Sequence, residues 1–256
     1  MNIFITGGAS GIGKRTAVEL LERGHDVKVM DCDEEALETL DQEIEIFHGD
    51  VRNAKDLEAA TRRFEVDVLI NCAGFQERGA VEDLEMDSFQ EHIDTNYLGT
   101  VRTIKEVLPA LRRNNGRIIN VSSVAGLTGA PFLSAYCASK HAVEGFSDSL
   151  RMELNESEVD VVIVEPGPIQ TGFNDSGIEK LRDFIPGSRY SEKYKQSLDQ
   201  ERDRVDVQEA TDVLVKAVEA DSPKTRYTIT REAYLVRKLK RFLPDRWWDR
   251  ILREAF

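Results

Sequence analysis

The chain has little that could crosslink it. Its three cysteines, Cys32, Cys72 and Cys137, are scattered over 256 residues without close pairing, so a reducing compartment is expected rather than a disulfide framework. The four histidines, at 25, 48, 92 and 141, lack ligand spacing, and no metal site is expected. No run approaches the roughly 18 apolar residues of a membrane span. MNIFITGG passes from Met1 directly into a strand-and-glycine pattern with no room for a signal peptide, so a cytoplasmic chain is expected. Positive charge is also scarce: 34 Lys and Arg face 47 Asp and Glu, for a net charge of −13. Phosphate backbones are bound by basic surfaces, so this balance argues against nucleic acid as a partner. Linkers and internal repeats are missing too, and residues 1–256 are expected to form one domain with a large core.

What is present is an alternation. Strand candidates are NIFIT (2–6), DVKVM (26–30), EIEIF (43–47), VDVLI (66–70), GRIINV (116–121), VDVVIV (159–164) and RYTIT (226–230). Between them lie amphipathic segments such as KRTAVELLER, DEEALETL and NAKDLEAATRRF. Strand, helix, strand repeated in this way predicts right-handed βαβ units and an α/β fold with a parallel sheet covered on both faces.

The first crossover carries the first chemical signal. NIFIT runs into TGGASGIG, a turn containing Gly7, Ser10, Gly11, Ile12 and Gly13, and then into a helix. A glycine turn between a strand and a helix N-terminus lets the backbone approach a pyrophosphate, whose charge the helix dipole favours. The second strand ends at Asp31, where a carboxylate accepts from both hydroxyls of an adenosine ribose and repels a 2′-phosphate. NAD is therefore expected rather than NADP, although Lys14 and Arg15 lie near enough to soften the exclusion. Asp33 suits the cap of the following helix better than Asp31 does. Asp50, in GDV with Val51, has two readings: it faces the adenine amino group, or it caps the helix that follows.

The second signal is SAYCASKHA, which sets Tyr136 and Lys140 one helical turn apart. Alone this is weak, since chance gives about 0.3 such pairs in a chain of this composition. Tyr234 and Lys238 form a second one, read as a surface pair. The first has company: Ser123 stands at a strand end thirteen residues before Tyr136, and Asn96 lies in DTNYLGT upstream. As chemistry the pair is sensible. A phenol with an ordinary pKa of about 10 must fall by about 3 to act as a base near pH 7, worth about 4 kcal/mol. A cation about 5 Å away contributes about 3 kcal/mol of that at an effective dielectric of 20.

TGGASGIG, Asp31, GDV, NCAG at 71–74, Asn96, Ser123, Tyr136, Lys140 and PGPIQT at 166–171 form an ordered set. On that set the chain resembles the classical short-chain dehydrogenases/reductases over residues 2–172, most closely the branch handling hydroxysteroids and retinol. The resemblance implies a doubly wound Rossmann sheet of order 3-2-1-4-5-6-7 and a homodimer or homotetramer. It also implies hydride transfer between NAD and a secondary alcohol or ketone, here a lipophilic one. By the same resemblance, Tyr136 is the general acid/base, Lys140 lowers its pKa and holds the nicotinamide ribose, and Ser123 steadies the substrate oxygen. Asn96 positions a relaying water, and Ile169 and Thr171 hold the carboxamide. Asn71, Ala73, Gly74, Pro166 and Gly167 line the cofactor. One departure is visible: the family pattern has two asparagines before Ala-Gly, and here Cys72 follows Asn71. Two rival readings are a catalytically silent NAD-binding redox sensor and a nucleotide-sugar epimerase or dehydratase.

Beyond PGPIQT, residues 173–206 form a polar, irregular stretch with two readings, a flap over the substrate, which is the expectation, or a surface helix pair with no role in binding. Residues 224–256 hold ten basic and four acidic residues, net +6, leaving −19 for the remainder. Residues 231–256 are expected to form two amphipathic helices broken at Pro244. Their apolar stripe, with Trp247 and Trp248, either packs on its own domain or a partner subunit, which is the expectation, or makes peripheral contact with an anionic membrane.

Overall fold

The computed structural model describes residues 1–199, 204–240 and 242–255. Along them alternate β1 (Asn2–Thr6), α1 (Gly11–Glu22), β2 (Asp26–Asp31), α2 (Glu34–Leu37), β3 (Glu45–His48), α3 (Ala54–Thr61) and β4 (Val68–Asn71). Next come α4 (Met86–His92), a π-helical segment Ile93–Gly99, α5 (Thr100–Asn114), β5 (Arg117–Val121) and α6 (Ser134–Glu153). Then follow β6 (Asp160–Glu165), α7 (Phe173–Phe184), α8 (Ser191–Asp199), α9 (Val207–Glu219), β7 (Arg226–Thr228), α10 (Arg231–Leu239) and α11 (Asp245–Ala255).

All seven strands are parallel and lie in the order β3-β2-β1-β4-β5-β6-β7, as the resemblance implies. Side chains alternate between two buried cores. Ile3, Ile5, Val29, Val68 and Ile70 face one, which α1 and α9 cover with Leu20 and Leu214. Phe4, Met30, Leu69, Ile118 and Val161 face the other, covered by Leu57 of α3, Val107 of α5 and Leu150 of α6. Burial of both strand faces is the signature of a parallel sheet between helix layers. The winding of the strand order reverses between β1 and β4, and a crevice opens there at the carboxyl ends of the strands.

Most expected elements differ only at their ends. β1 matches, whereas β3, β4 and β6 sit one or two residues further along. DEEALETL shrinks to the single turn of α2, capped by Asp33, whose carboxylate accepts from Ala36 N at 3.0 Å. Helix α3 is capped by Asn53. Asp50 is therefore not its cap.

The largest difference is in residues 173–206. Most of this stretch is helical rather than irregular, while 200–203 lie outside the described residues. Leu181 of α7 and Tyr194 of α8 are fully buried against Ala80, with Phe132, Phe184 and Tyr190 packed around them. The Tyr194 hydroxyl accepts from Ala80 N at 2.8 Å and donates to Asp83, which also accepts from Ser188 Oγ at 2.6 Å. These contacts come from distant chain segments, and they turn a polar stretch into two docked helices.

Candidate active site

The cofactor end is made by backbone. Gly7 leaves β1 with φ +68°, and a Cβ there would stand 2.5 Å from the Ala73 backbone. One at Gly13 would stand 2.2 Å from the Gly7 carbonyl. Only glycine allows the β1 turn, the start of α1 and the end of β4 to close this tightly. Ser10, the N-cap of α1, makes no side-chain capping bond, and with Gly13 N–H engaged by the Cys72 sulfur the N–H groups of Gly11 and Ile12 are left to a ligand in the crevice. Asp31 ends β2 with Oδ2 accepting from Ala9 N at 3.0 Å and Oδ1 from Asp33 N at 3.1 Å. Its carboxylate is thus fixed beside the turn with lone pairs left over. These residues fit an adenine dinucleotide. Lys14 and Arg15 turn elsewhere: Lys14 donates to Thr39 Oγ1 at 2.6 Å and Arg15 to Gln208 Oε1 at 2.7 Å.

Asp50 is held by the Arg52 guanidinium at 2.6 and 2.9 Å and accepts from Arg52 N at 2.8 Å. Burial pushes its carboxyl up, but the Arg52 bonds and charge prevail and the net shift is downward.

The other end is made by α6 and the loop after β5. Lys140 is buried, and its Nζ donates to the Val121 carbonyl at 2.9 Å. Burial pushes its ammonium down to about 8, opposed by Glu144 one turn further along and by Cys72. Ser123 Oγ accepts from Ala125 N at 3.1 Å. Tyr136 is 5 % exposed, and burial pushes its phenol up, the Ser123 hydrogen bond opposing in part. The expectation of a lowered pKa rests on two cations, Lys140 and the nicotinamide ring of NAD⁺; Lys140 alone does not outweigh the burial. The ammonium lies over the ring, 5.8 Å from its centroid, and bonds the Val121 carbonyl, so desolvation of the phenol wins. The surface pair is instructive: Lys238 also lies 5.8 Å from the Tyr234 ring, but that tyrosine is 52 % exposed. The two pairs match in local spacing and differ in burial.

All the site residues expected from the sequence line one cleft of about 1430 Å³, except Gly13, Asn71 and Asn96. Gly13 packs behind the turn. Asn71 Nδ2 donates to Asn120 Oδ1 at 2.9 Å, and Asn120 Nδ2 donates to Ser147 Oγ at 2.8 Å, which ties β4 and β5 to α6 from behind. Asn96 sits in the π-helical segment, a frequent device at functional sites. Its Oδ1 accepts from Phe75 N and its Nδ2 donates to Phe75 O, both at 3.0 Å, and to Ser139 Oγ, also at 3.0 Å. Both ends of its amide are engaged in fixing the cleft-lining Phe75 backbone.

Three contributors were not read from the sequence. Ser139, one turn after Tyr136, anchors Asn96, and the Val121 carbonyl anchors Lys140. His92, one turn before Asn96, is fully buried and packs 4.3 Å from the Phe75 ring and 6.5 Å, edge-on, from Tyr136. Its Nε2 accepts from Glu77 N at 3.1 Å and its Nδ1 bonds Ser88 O at 2.7 Å. That makes it a neutral ring protonated on Nδ1, and burial pushes its pKa down. The histidine-to-Asn96 spacing was the available signal.

Fold and cleft define a doubly wound, Rossmann-type α/β protein with serine, tyrosine and lysine gathered at the mouth of its crevice. The particular family follows from comparison: the chain belongs to the short chain dehydrogenases, whose family model matches residues 1–181. Members are dehydrogenase/reductase enzymes that bind a nicotinamide cofactor. It is 33% identical to a 3-ketodihydrosphingosine reductase of Bacteroides thetaiotaomicron, covering 98% of this chain and 96% of that one. It is 31% identical, with the same coverage, to the uncharacterized oxidoreductase YusZ of Bacillus subtilis. A crystal structure of a Burkholderia cenocepacia short chain dehydrogenase in complex with NADP superposes with a TM-score of 0.81. That structure covers 98% of this chain and 96% of its own at 24% identity, a likeness of fold.

Proposed function

We propose that the chain reduces a lipophilic ketone to a secondary alcohol, and catalyses the reverse, with NAD(H) as cofactor. The observation that carries this reading is Tyr136, buried in a mostly apolar cleft with Ser123 and Lys140 beside it and the glycine turn at the opposite end. A bound nicotinamide cofactor supplies or accepts the hydride. The uncapped first turn of α1 holds its pyrophosphate, Asp31 its adenosine ribose, and Asp50 and Val51 the edge of its adenine. Ala73 and Gly74 border its path, Lys140 holds the second ribose, and Ile169 and Thr171 hold the carboxamide.

Burial keeps Tyr136 a protonated phenol at neutral pH, the form a general acid needs to deliver a proton to a carbonyl oxygen. Ser123 donates to the same oxygen and steadies its developing charge. Lys140, held by Val121 over the phenol ring, stabilises the phenolate left when that proton is given up, until solvent restores it. Asn96 acts through Phe75, keeping one cleft wall in place. NAD over NADP rests on the fixed Asp31 carboxylate and on Lys14 and Arg15 being bonded away from it. A lipophilic substrate is supported by Leu133, Phe173, Leu235, Leu239, Trp248 and Leu252 in the lining and by the sphingoid ketone named for one relative. Phe173, Ile178, Lys180 and Ser197 of α7 and α8 also reach the lining, and these helices cover the substrate.

The test is NADH oxidation with a panel of long-chain and steroidal ketones, comparing the wild type with Tyr136→Phe. The variant binds NADH as before and turns over about 10²-fold or more slowly, the weight of a general acid. Undiminished turnover, or a panel in which only nucleotide sugars react, overturns the reading.

A further inference from the structure

The C-terminal helices have two unlike faces. Trp248 points inward, buried, with its indole Nε1 donating to Thr128 Oγ1 at 2.6 Å, and Lys240 Nζ donates to the Leu127 carbonyl at 2.8 Å. A Cβ at Gly167 would stand 2.2 Å from Thr230 Oγ1, the N-cap of α10, so α10 starts hard against the loop after β6. The tail is thereby docked on its own domain, as the sequence led one to expect. Docking leaves a second stripe uncovered. Phe242 is 79 % exposed and Trp247 69 %, while Leu235, Leu239 and Ile251 are each about half exposed. Those last three also line the cleft, so one apolar surface runs from inside the cleft over its rim and out to Phe242 and Trp247.

We propose that this rim seats the protein on an anionic lipid bilayer, with the cleft opening onto the membrane so that its lipophilic substrate enters from the lipid. The substrate clause rests on the ketone reduction proposed above; the seating does not. Charge selects the occupant. Residues 224–256 carry +6 on a chain whose remainder carries −19; Arg226 and Arg237 pair with carboxylates of the body, and Arg231, Lys238, Arg246 and Arg250 stand exposed on the two helices with Glu232, Asp245 and Asp249 among them. A face of that sign is drawn to a negative surface that repels the rest of the molecule, and this sets an orientation as well as an affinity. Exposed Trp and Phe beside basic residues suit the headgroup boundary, where an amphipathic helix lies in the plane. Among the described residues no helix is long and apolar enough to cross a membrane, so the contact is peripheral.

The experiment is co-sedimentation of the full chain with vesicles of phosphatidylcholine alone or mixed with phosphatidylglycerol. The pair of substitutions Phe242→Glu and Trp247→Glu provides the comparison. Neither residue lines the cleft and both are mostly exposed, so fold and turnover of a water-soluble ketone are retained. The wild type binds the mixed vesicles, releases as salt rises and ignores pure phosphatidylcholine; the double variant binds about tenfold or more weakly. Failure of the wild type to bind anionic vesicles overturns the proposal. So does equal binding by the variant, or a loss confined to self-association, which would make the stripe an interface between two copies. Because binding is read without substrate, a failed ketone assay leaves this result standing, and the reverse also holds.

Discussion

Replacing Lys140 by Met should make the protein more stable near pH 7 while disabling it. The wild-type ammonium is buried, and its pKa falls from an ordinary 10.5 to about 8. The folded state therefore holds this proton less tightly than the unfolded chain does. Below about pH 8 both states are charged and the penalty is complete, roughly 3 kcal/mol. It fades as pH rises from about 8 to 10.5, because there the unfolded chain binds more protons than the folded one. Met removes that penalty but leaves the Val121 carbonyl without its 2.9 Å donor, a loss of about 1 kcal/mol. The variant thus gains about 2 kcal/mol near pH 7, and its advantage vanishes by about pH 10, where less than about 1 kcal/mol of penalty remains. Urea unfolding of both proteins without nucleotide, at the two pH values, measures the gap. A variant less stable near neutrality, or a gap that does not change with pH, would refute the electrostatic account of this lysine.

Asp31→Asn keeps an acceptor for Ala9 N but removes the charge, so the preference for NAD over NADP should fall about tenfold or more; paired Kd values for the two nucleotides give the ratio, and an unchanged ratio means another group reads the ribose. Asn96→Ala deletes three hydrogen bonds, one buried and two partly so, and should destabilise by about 2 kcal/mol in urea while slowing turnover through a loosened Phe75; full stability would mean the Phe75 backbone finds other partners. Tyr194→Phe orphans Ala80 N and should cost about 2 kcal/mol, with faster proteolytic nicking within α7 and α8 than elsewhere; uniform protection would show that packing alone holds those helices.

The parts legible in the sequence are those where backbone geometry or chemistry admits few residue types. A turn that must touch Ala73 demands Gly7, and a strand buried on both faces demands a run such as NIFIT. Serine, tyrosine and lysine at their spacings brought the cleft into view before any coordinate did. What was illegible depends on distant partners. Helices α7 and α8 looked irregular because Leu181 and Tyr194 find their burial on residues around Ala80 and Phe132, up to 114 positions away. Trp247 and Trp248 are chemically identical neighbours, yet Thr128 captures only the second. The sign of the Tyr136 shift needed the degree of enclosure, which spacing does not encode.

Arg226 donates to Glu144 of α6, to Glu165 on the neighbouring β6 at 3.0 Å and to Asp148 at 2.6 Å, while Arg237 stands 3.5 Å from the same Glu165. Anyone grafting a relative's tail onto this scaffold, to swap its substrate range, must therefore choose the splice point with care. A junction after β7 leaves Arg226 with its native carboxylates and exchanges only Arg237, the second partner of the enclosed Glu165. One placed at the surface turn before Lys224 carries both arginines together, and the recipient's acidic triplet must be matched to them.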